Sequence, residues 1–158
     1  MKNKGFSLVE LIIVIAIMAI LAAAIAPALI RYIDKSRRSD DVAAAETVNT
    51  AAQAALANED AYDGVQQLGS GVQIVGYAKI DDSWTSYAGV AAGSAETFLE
   101  EVQSSTGGGP SIKYKKNSVK SWTVGVDNST GKPVVWLSTG ATGGTQTELQ
   151  PTIDKSYK

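Results

Sequence analysis

From Leu11 to Ile30 the chain runs for twenty residues without a charged or hydrogen-bonding side chain. As a helix at about 1.5 Å per residue, that block is roughly 30 Å long, the thickness of a bilayer's hydrocarbon core. No other feature restricts the fold as strongly, because the segment must be covered by lipid, by a protein core or by other copies. The chain has 158 residues, so what remains is enough for one modest domain. The later part is rich in Gly, Ser and Thr with short alternating runs. Two physical environments are implied within one polypeptide.

The flanks of the block narrow its role. Lys2 and Lys4 precede it, while Arg31, Lys35, Arg37 and Arg38 follow, partly offset by Asp34, Asp40 and Asp41. Counting Lys and Arg alone, the positive-inside rule favours the wrong end for a chain whose bulk is exported. A cleavable secretory signal is one reading, with the small residues 22–26 resembling a cleavage site. Against it stand Glu10, an unusual charge at the start of an apolar region, and Pro27, directly after the best cut at Ala26. A plain signal anchor, with Glu10 at the interface and no special role, is a second reading.

The third comes from the stretch KGFSLVE followed by an apolar helix. It resembles the prepilin signature of type IV pilins and pseudopilins: a short basic leader ending in Gly, an apolar first mature residue, and Glu four positions later. The resemblance covers about a third of the chain. It implies that a prepilin peptidase cuts between Gly5 and Phe6 and methylates the new amine, giving N-methylphenylalanine at Phe6. The apolar helix is then kept. Loss of Lys2 and Lys4 shifts the net charge from −2 to −4. Pro27 falls where the family often carries a helix-loosening proline.

Glu10 needs a partner, since a charged residue deep in a bilayer costs about 2.5 to 3.5 kcal/mol. One solution is intrachain: a helical Glu side chain leans back towards the N-terminus, where it offsets the exposed amide dipoles. The other, implied by the resemblance, is intermolecular, Glu10 of one subunit neutralising the Phe6 amine of its neighbour. Four residues of helix rise about 6 Å, so that pairing staggers neighbours by roughly one turn. Such a head-to-tail interface does not close on itself and generates a filament. Pro27 removes a backbone donor and predicts a kink or local melting between about Ala22 and Pro27.

Beyond Ile30 the helical signal turns amphipathic, with Val42, Ala45, Val48, Ala52 and Ala55 spaced three or four apart. Helix is expected to about Asn58, with Arg37, Arg38, Asp40 and Asp41 on a solvated face. Residues 59–93 read as loop with one strand candidate, 71–80. Residues 95–105 read as a short helix with Ser94 as cap and Glu96 in its first turn. TGGGP then breaks the chain. Strands are expected at 111–116, 120–127 and 133–138, with DNSTGK as a hairpin loop.

Histidine and cysteine are both absent. That removes the usual general base, thiol nucleophile, zinc ligands and disulfides, and no Ser-His-Asp triad can be assembled. GGGPS and TGKP lack the spacing and context of a phosphate loop. DNSTG has too few alternating carboxylates for a calcium loop, leaving a pseudopilin-type calcium site at Asp127 as a minor alternative. Trp84, Trp122 and Trp136 read as core or sheet-face residues rather than a sugar platform. A net charge of −2 gives no footprint for nucleic acid. No catalytic residue, cofactor or metal is expected.

The expected fold is α+β and type IV pilin-like: a long N-terminal helix, its first half transmembrane, with a C-terminal antiparallel sheet packed on its second half. The divisions are a leader (1–5), a membrane or filament-core helix (6–30), its amphipathic continuation (31–58) and a head (59–158). The resemblance implies a structural pilus subunit, with the membrane, the peptidase, a platform protein, an assembly ATPase, minor pilins and further copies of itself as partners. It places the subunit in the cell membrane, head outside, before assembly and in the extracellular pilus after it. The family's adhesion and twitching motility come with it as expectations. The head lacks the cysteine pair that staples the C-terminal loop in many Gram-negative pilins, and resembles more those of some Gram-positive bacteria. Alternatives at this level are a pseudopilin of a secretion or competence system, and an anchored or secreted binding domain in which Glu10 is incidental.

Overall fold

The computed structural model describes residues 5, 7–79, 82–87, 90, 93, 95–114, 119–140 and 146–157. In chain order they form helix α1 (Leu8–Ala55), helix α2 (Glu59–Gln66), strands β1 (Val72–Lys79) and β2 (Thr85–Ser86), helix α3 (Glu96–Thr106), strands β3 (Ser121–Asp127), β4 (Lys132–Ser138) and β5 (Gln146–Gln150), and a 3-10 turn (Lys155–Tyr157). The chain divides into two compact units, Met1–Ser36 and Arg37–Lys158.

In the first unit the large apolar side chains stand open. From Leu8 to Ile33 they are 39% to 73% exposed. The segment is long and apolar enough to cross a membrane, and none of it is buried within the protein. Residues 22–27 are all helical, with Pro27 inside α1. The local melting expected there is not present in this chain by itself.

The second unit is built on the amphipathic stripe. Ala45, Val48, Ala52 and Ala55 are buried and Val42 is half-buried, so the three-four spacing does mark the packed face. The charged run before it does not behave as expected. Arg37 and Asp40 are exposed and Arg38 half-buried, but Asp41 is completely buried. One turn before Ala45 on the same stripe, Asp41 is carried inward with it, and its carboxylate is satisfied by backbone amides and a phenol.

The sheet is antiparallel throughout, in the order β2-β1-β3-β4-β5. Central β3 is buried from Ser121 to Val126, and Trp122, Val124 and Val126 alternate along one face into the core with Val135, Leu137, Phe98 and Val102. Gly125 is required by close approach: a Cβ there would lie 2.2 Å from the Gln73 carbonyl oxygen and 2.9 Å from the Trp136 ring. The β3–β4 hairpin turns where DNSTGK predicts, with Gly131 at φ +68°. Asn128 Nδ2 donates to the carbonyls of Val65 (3.0 Å) and Gly69 (2.6 Å), tying the hairpin to the end of α2. Trp84, Trp122 and Trp136 are all core residues, at most 8% exposed.

Several elements differ from expectation. Helix α1 ends at Ala55, and α2 occupies what reads as loop, started by Asn58 Oδ1 accepting from the Asp60 N–H at 3.0 Å. The strand expected at 111–116 is absent from residues 111–114, because the Lys113 and Tyr114 amides donate to Asp41 instead of to a neighbouring strand. Residues 115–116 lie outside the described residues. The sheet gains β2 and β5. Helix α3 is preceded at the cap position by Ala95, which makes no side-chain cap bond, and Ser94 lies outside the described residues. Gly107, left-handed at φ +72°, closes α3 by donating to the Gln103 carbonyl at 2.8 Å.

Candidate functional site

The site begins where α1 begins. The first turn of a helix leaves backbone N–H groups without intrahelical acceptors, and Ser7 stands at that boundary. Its Oγ accepts from the Val9 N–H at 3.4 Å, and its carbonyl takes the first helical bond from the Leu11 N–H at 3.2 Å. In return Glu10 Oε2 accepts from the Ser7 N–H at 2.8 Å. Glu10 on the Ser7 amide is the N3-to-N-cap half of a capping box, with the Ser7 hydroxyl on the Val9 amide rather than on that of Glu10. The spacing Ser-x-x-Glu before an apolar run is its sequence signal, and reading Glu10 only as a charge in search of a partner overlooks it.

The intrachain solution for Glu10 is thus realised in the single chain, with a hydrogen bond to a backbone amide rather than a diffuse dipole contact. A carboxylate accepts about four hydrogen bonds. The bond from the Ser7 amide leaves capacity for a further donor, and the Glu10 side chain is exposed. Around it, Leu8, Val9 and Leu11 are 73%, 61% and 59% exposed, so the group sits amid apolar surface.

Of the other residues singled out from the sequence, Gly5 is exposed, and among the described residues beyond its chain neighbours nothing lies within 4 Å of where a side chain would start. Phe6 lies outside the described residues. Pro27 belongs to the same helix, about five turns beyond Glu10. Asp127, the minor calcium candidate, is engaged locally: its carboxylate accepts from the Ser129 N–H at 3.0 Å and the Thr130 hydroxyl at 2.8 Å. These bonds hold its carboxyl below the ordinary carboxylate range. Among the described residues no three carboxylate side chains gather in a metal-binding arrangement.

Sequence reasoning missed a second polar cluster, in the unit Arg37–Lys158. Asp41 accepts from the Lys113 N–H (2.7 Å), the Tyr114 N–H (3.0 Å) and the Tyr157 hydroxyl. Tyr114 and Tyr157 meet edge to face at 5.7 Å, and Arg38 Nη2 donates to the Tyr114 hydroxyl at 2.8 Å. Burial first, then the bond to Asp41 and its charge, push the Tyr157 phenol well above its ordinary range.

Residues 1–26 match the family model described as the prokaryotic N-terminal methylation motif. No solved structure matches the chain. The stretch from the basic leader through Glu10 and the open apolar helix therefore carries the type IV prepilin signature, joined here to an α+β, type IV pilin-like architecture.

Proposed function

We propose that this chain is the precursor of a structural filament subunit of the type IV pilus kind, not an enzyme. The observation that carries the reading is Glu10: a carboxylate held at the head of a helix whose apolar side chains from Leu8 to Ile33 are open to a partner. A prepilin peptidase cuts between Gly5 and Phe6, and Phe6 is methylated. The helix holds the subunit in the membrane with the head outside until a platform protein and an assembly ATPase draw it into a homopolymer. There the apolar side chains cover one another. Glu10 keeps its own Ser7 amide and adds the Phe6 amine of a neighbouring subunit, which sets the register. Pro27 lets the helix loosen once neighbours hold it. Adhesion and motility are the surface functions such a fibre serves.

N-terminal sequencing and intact mass of the protein sheared from its native cells test the processing. A start at Phe6 with one added methyl group is expected. A start after Ala26, or an unprocessed Met1, overturns the reading. The role of Glu10 is tested separately by comparing Glu10→Ala with Glu10→Gln. Gln still accepts the Ser7 amide but carries no charge. Both variants are expected to accumulate in the membrane without fibres, and normal fibres from Glu10→Gln would reduce Glu10 to a helix cap.

A further inference from the structure

The polypeptide after β5 does not trail away from the head. It folds back on the strand it has just left, the Thr152 N–H donating to Glu148 Oε1 at 3.3 Å and the Asp154 N–H to the Glu148 carbonyl at 2.9 Å. Ile153 packs against the core, and the Tyr157 N–H donates to the Asp154 carbonyl at 3.0 Å. The tail ends by burying Tyr157, 2% exposed, with its hydroxyl on Asp41.

Asp41 has a second task. Residues 111–114 belong to no strand, and two of their amides, those of Lys113 and Tyr114, use the same carboxylate as acceptor. One completely buried side chain on α1 thus gathers two segments that are far apart in sequence. A buried carboxylate stripped of one donor is strongly penalised unless water reaches it. Water that reaches Asp41 when Tyr157 leaves also competes for the amides of 113 and 114. With Tyr157 gone, Tyr114 further loses its edge-to-face neighbour.

We propose that residues 151–157 are a strap, latched by Tyr157 on Asp41, and that opening it releases the 112–114 stretch in the same event. In a chain without cysteine, this latch closes the C-terminal end of the head non-covalently, and therefore reversibly. The open state presents Ile112, Tyr114 and the Asp41 carboxylate together as an apolar, anionic cleft. Among the described residues, Arg38, Tyr114 and the backbone amides of 113 and 114 face the latch.

Amide hydrogen exchange on the full chain in detergent micelles tests this with Tyr157→Phe, which keeps the ring and removes only the latching hydroxyl. Exchange at 113 and 114 is expected to rise about tenfold or more together with that of 152–157, in line with loss of a hydrogen bond to a charged group. The amides of β3 and β4 stay as they are. Lys155→Ala, in the same turn but exposed, leaves both segments unchanged. Loosening of the tail with 113 and 114 fully protected would overturn the coupling. Equal loosening of every strand would show general destabilisation and overturn the latch.

Discussion

The Ser7 N–H lies 2.8 Å from Glu10 Oε2, so the carboxylate at the head of the apolar helix has a partner in its own chain before any neighbour arrives. A charge beside a segment long and apolar enough to cross a membrane is thereby met locally in the lone chain, and the filament proposed above would add a further donor on assembly.

Ser7→Ala separates the cap from the charge. The substitution removes the hydroxyl that accepts from Val9 but retains the backbone N–H that serves Glu10. Loss of an N-cap hydroxyl costs about 0.5–2 kcal/mol, felt in the first turn. Ser7→Ala is therefore expected to speed amide exchange at Val9 and Glu10 while still yielding fibres, whereas Glu10→Ala yields none. Immunoblots of sheared and membrane fractions read the difference.

In the unit Arg37–Lys158, Asp41→Ala leaves two amides and one phenol without their acceptor. Removing one side of a buried charged network typically costs about 3–5 kcal/mol. For a unit of this size the melting midpoint of the head is expected to fall on the order of 10 °C. Asp40→Ala, at an exposed neighbour, is expected to change stability by no more than about 0.5 kcal/mol. Thermal unfolding followed by near-ultraviolet circular dichroism measures both.

The two Asp residues also show how far the sequence can be read. Hydrophobic period gives α1, and alternation gives β3 and β4, because burial of a whole face leaves a repeating mark. A charged run leaves no such mark, and 37–41 reads as solvated although Asp41 shares the stripe of Ala45, Val48, Ala52 and Ala55. Strand β5, QTELQ, buries only Leu149, so it has no alternation to detect. Helix α2 carries Gly64 inside it, a poor helix former accepted because that position is buried. The bond from the Ser7 amide to Glu10 is legible in the Ser-x-x-Glu spacing, whereas the cost of a charge near lipid points equally to an intrachain or an external partner. The 111–114 stretch has a strand's composition, and only the tertiary position of Asp41 diverts its amides.

Alkaline pH tests the Tyr157 environment. Its phenol is raised in the folded head by burial, by the hydrogen bond to Asp41 and by that residue's charge. The unfolded chain releases the proton near the ordinary tyrosine value of about 10, while the folded head retains it. The stabilising contribution is thus complete below about pH 10 and is lost as pH rises above it. Denaturant midpoints are expected to fall more steeply between about pH 10 and 11.5 for wild type than for Tyr157→Phe. Parallel slopes would mean that the phenol is not held by Asp41.

Acid pH tests the hairpin with the opposite sign. The Asp127 carboxyl is lowered in the folded head, chiefly by the Thr130 hydroxyl and then by the Ser129 amide. A lowered carboxyl contributes stability that is present above its unfolded value, about 3.9, and is lost as pH falls through the folded value. The group lies at the surface and salt and water screen it, so the effect is local rather than global. Amides of residues 129–131 are expected to exchange faster relative to those of β1 once pH drops below about 4, after correction for intrinsic rates. Asp127→Asn keeps an acceptor for the Asx turn but cannot titrate. In that variant the relative exchange of the turn is expected to be independent of pH over the same range, and persistence of the pH dependence would assign it to a different carboxylate.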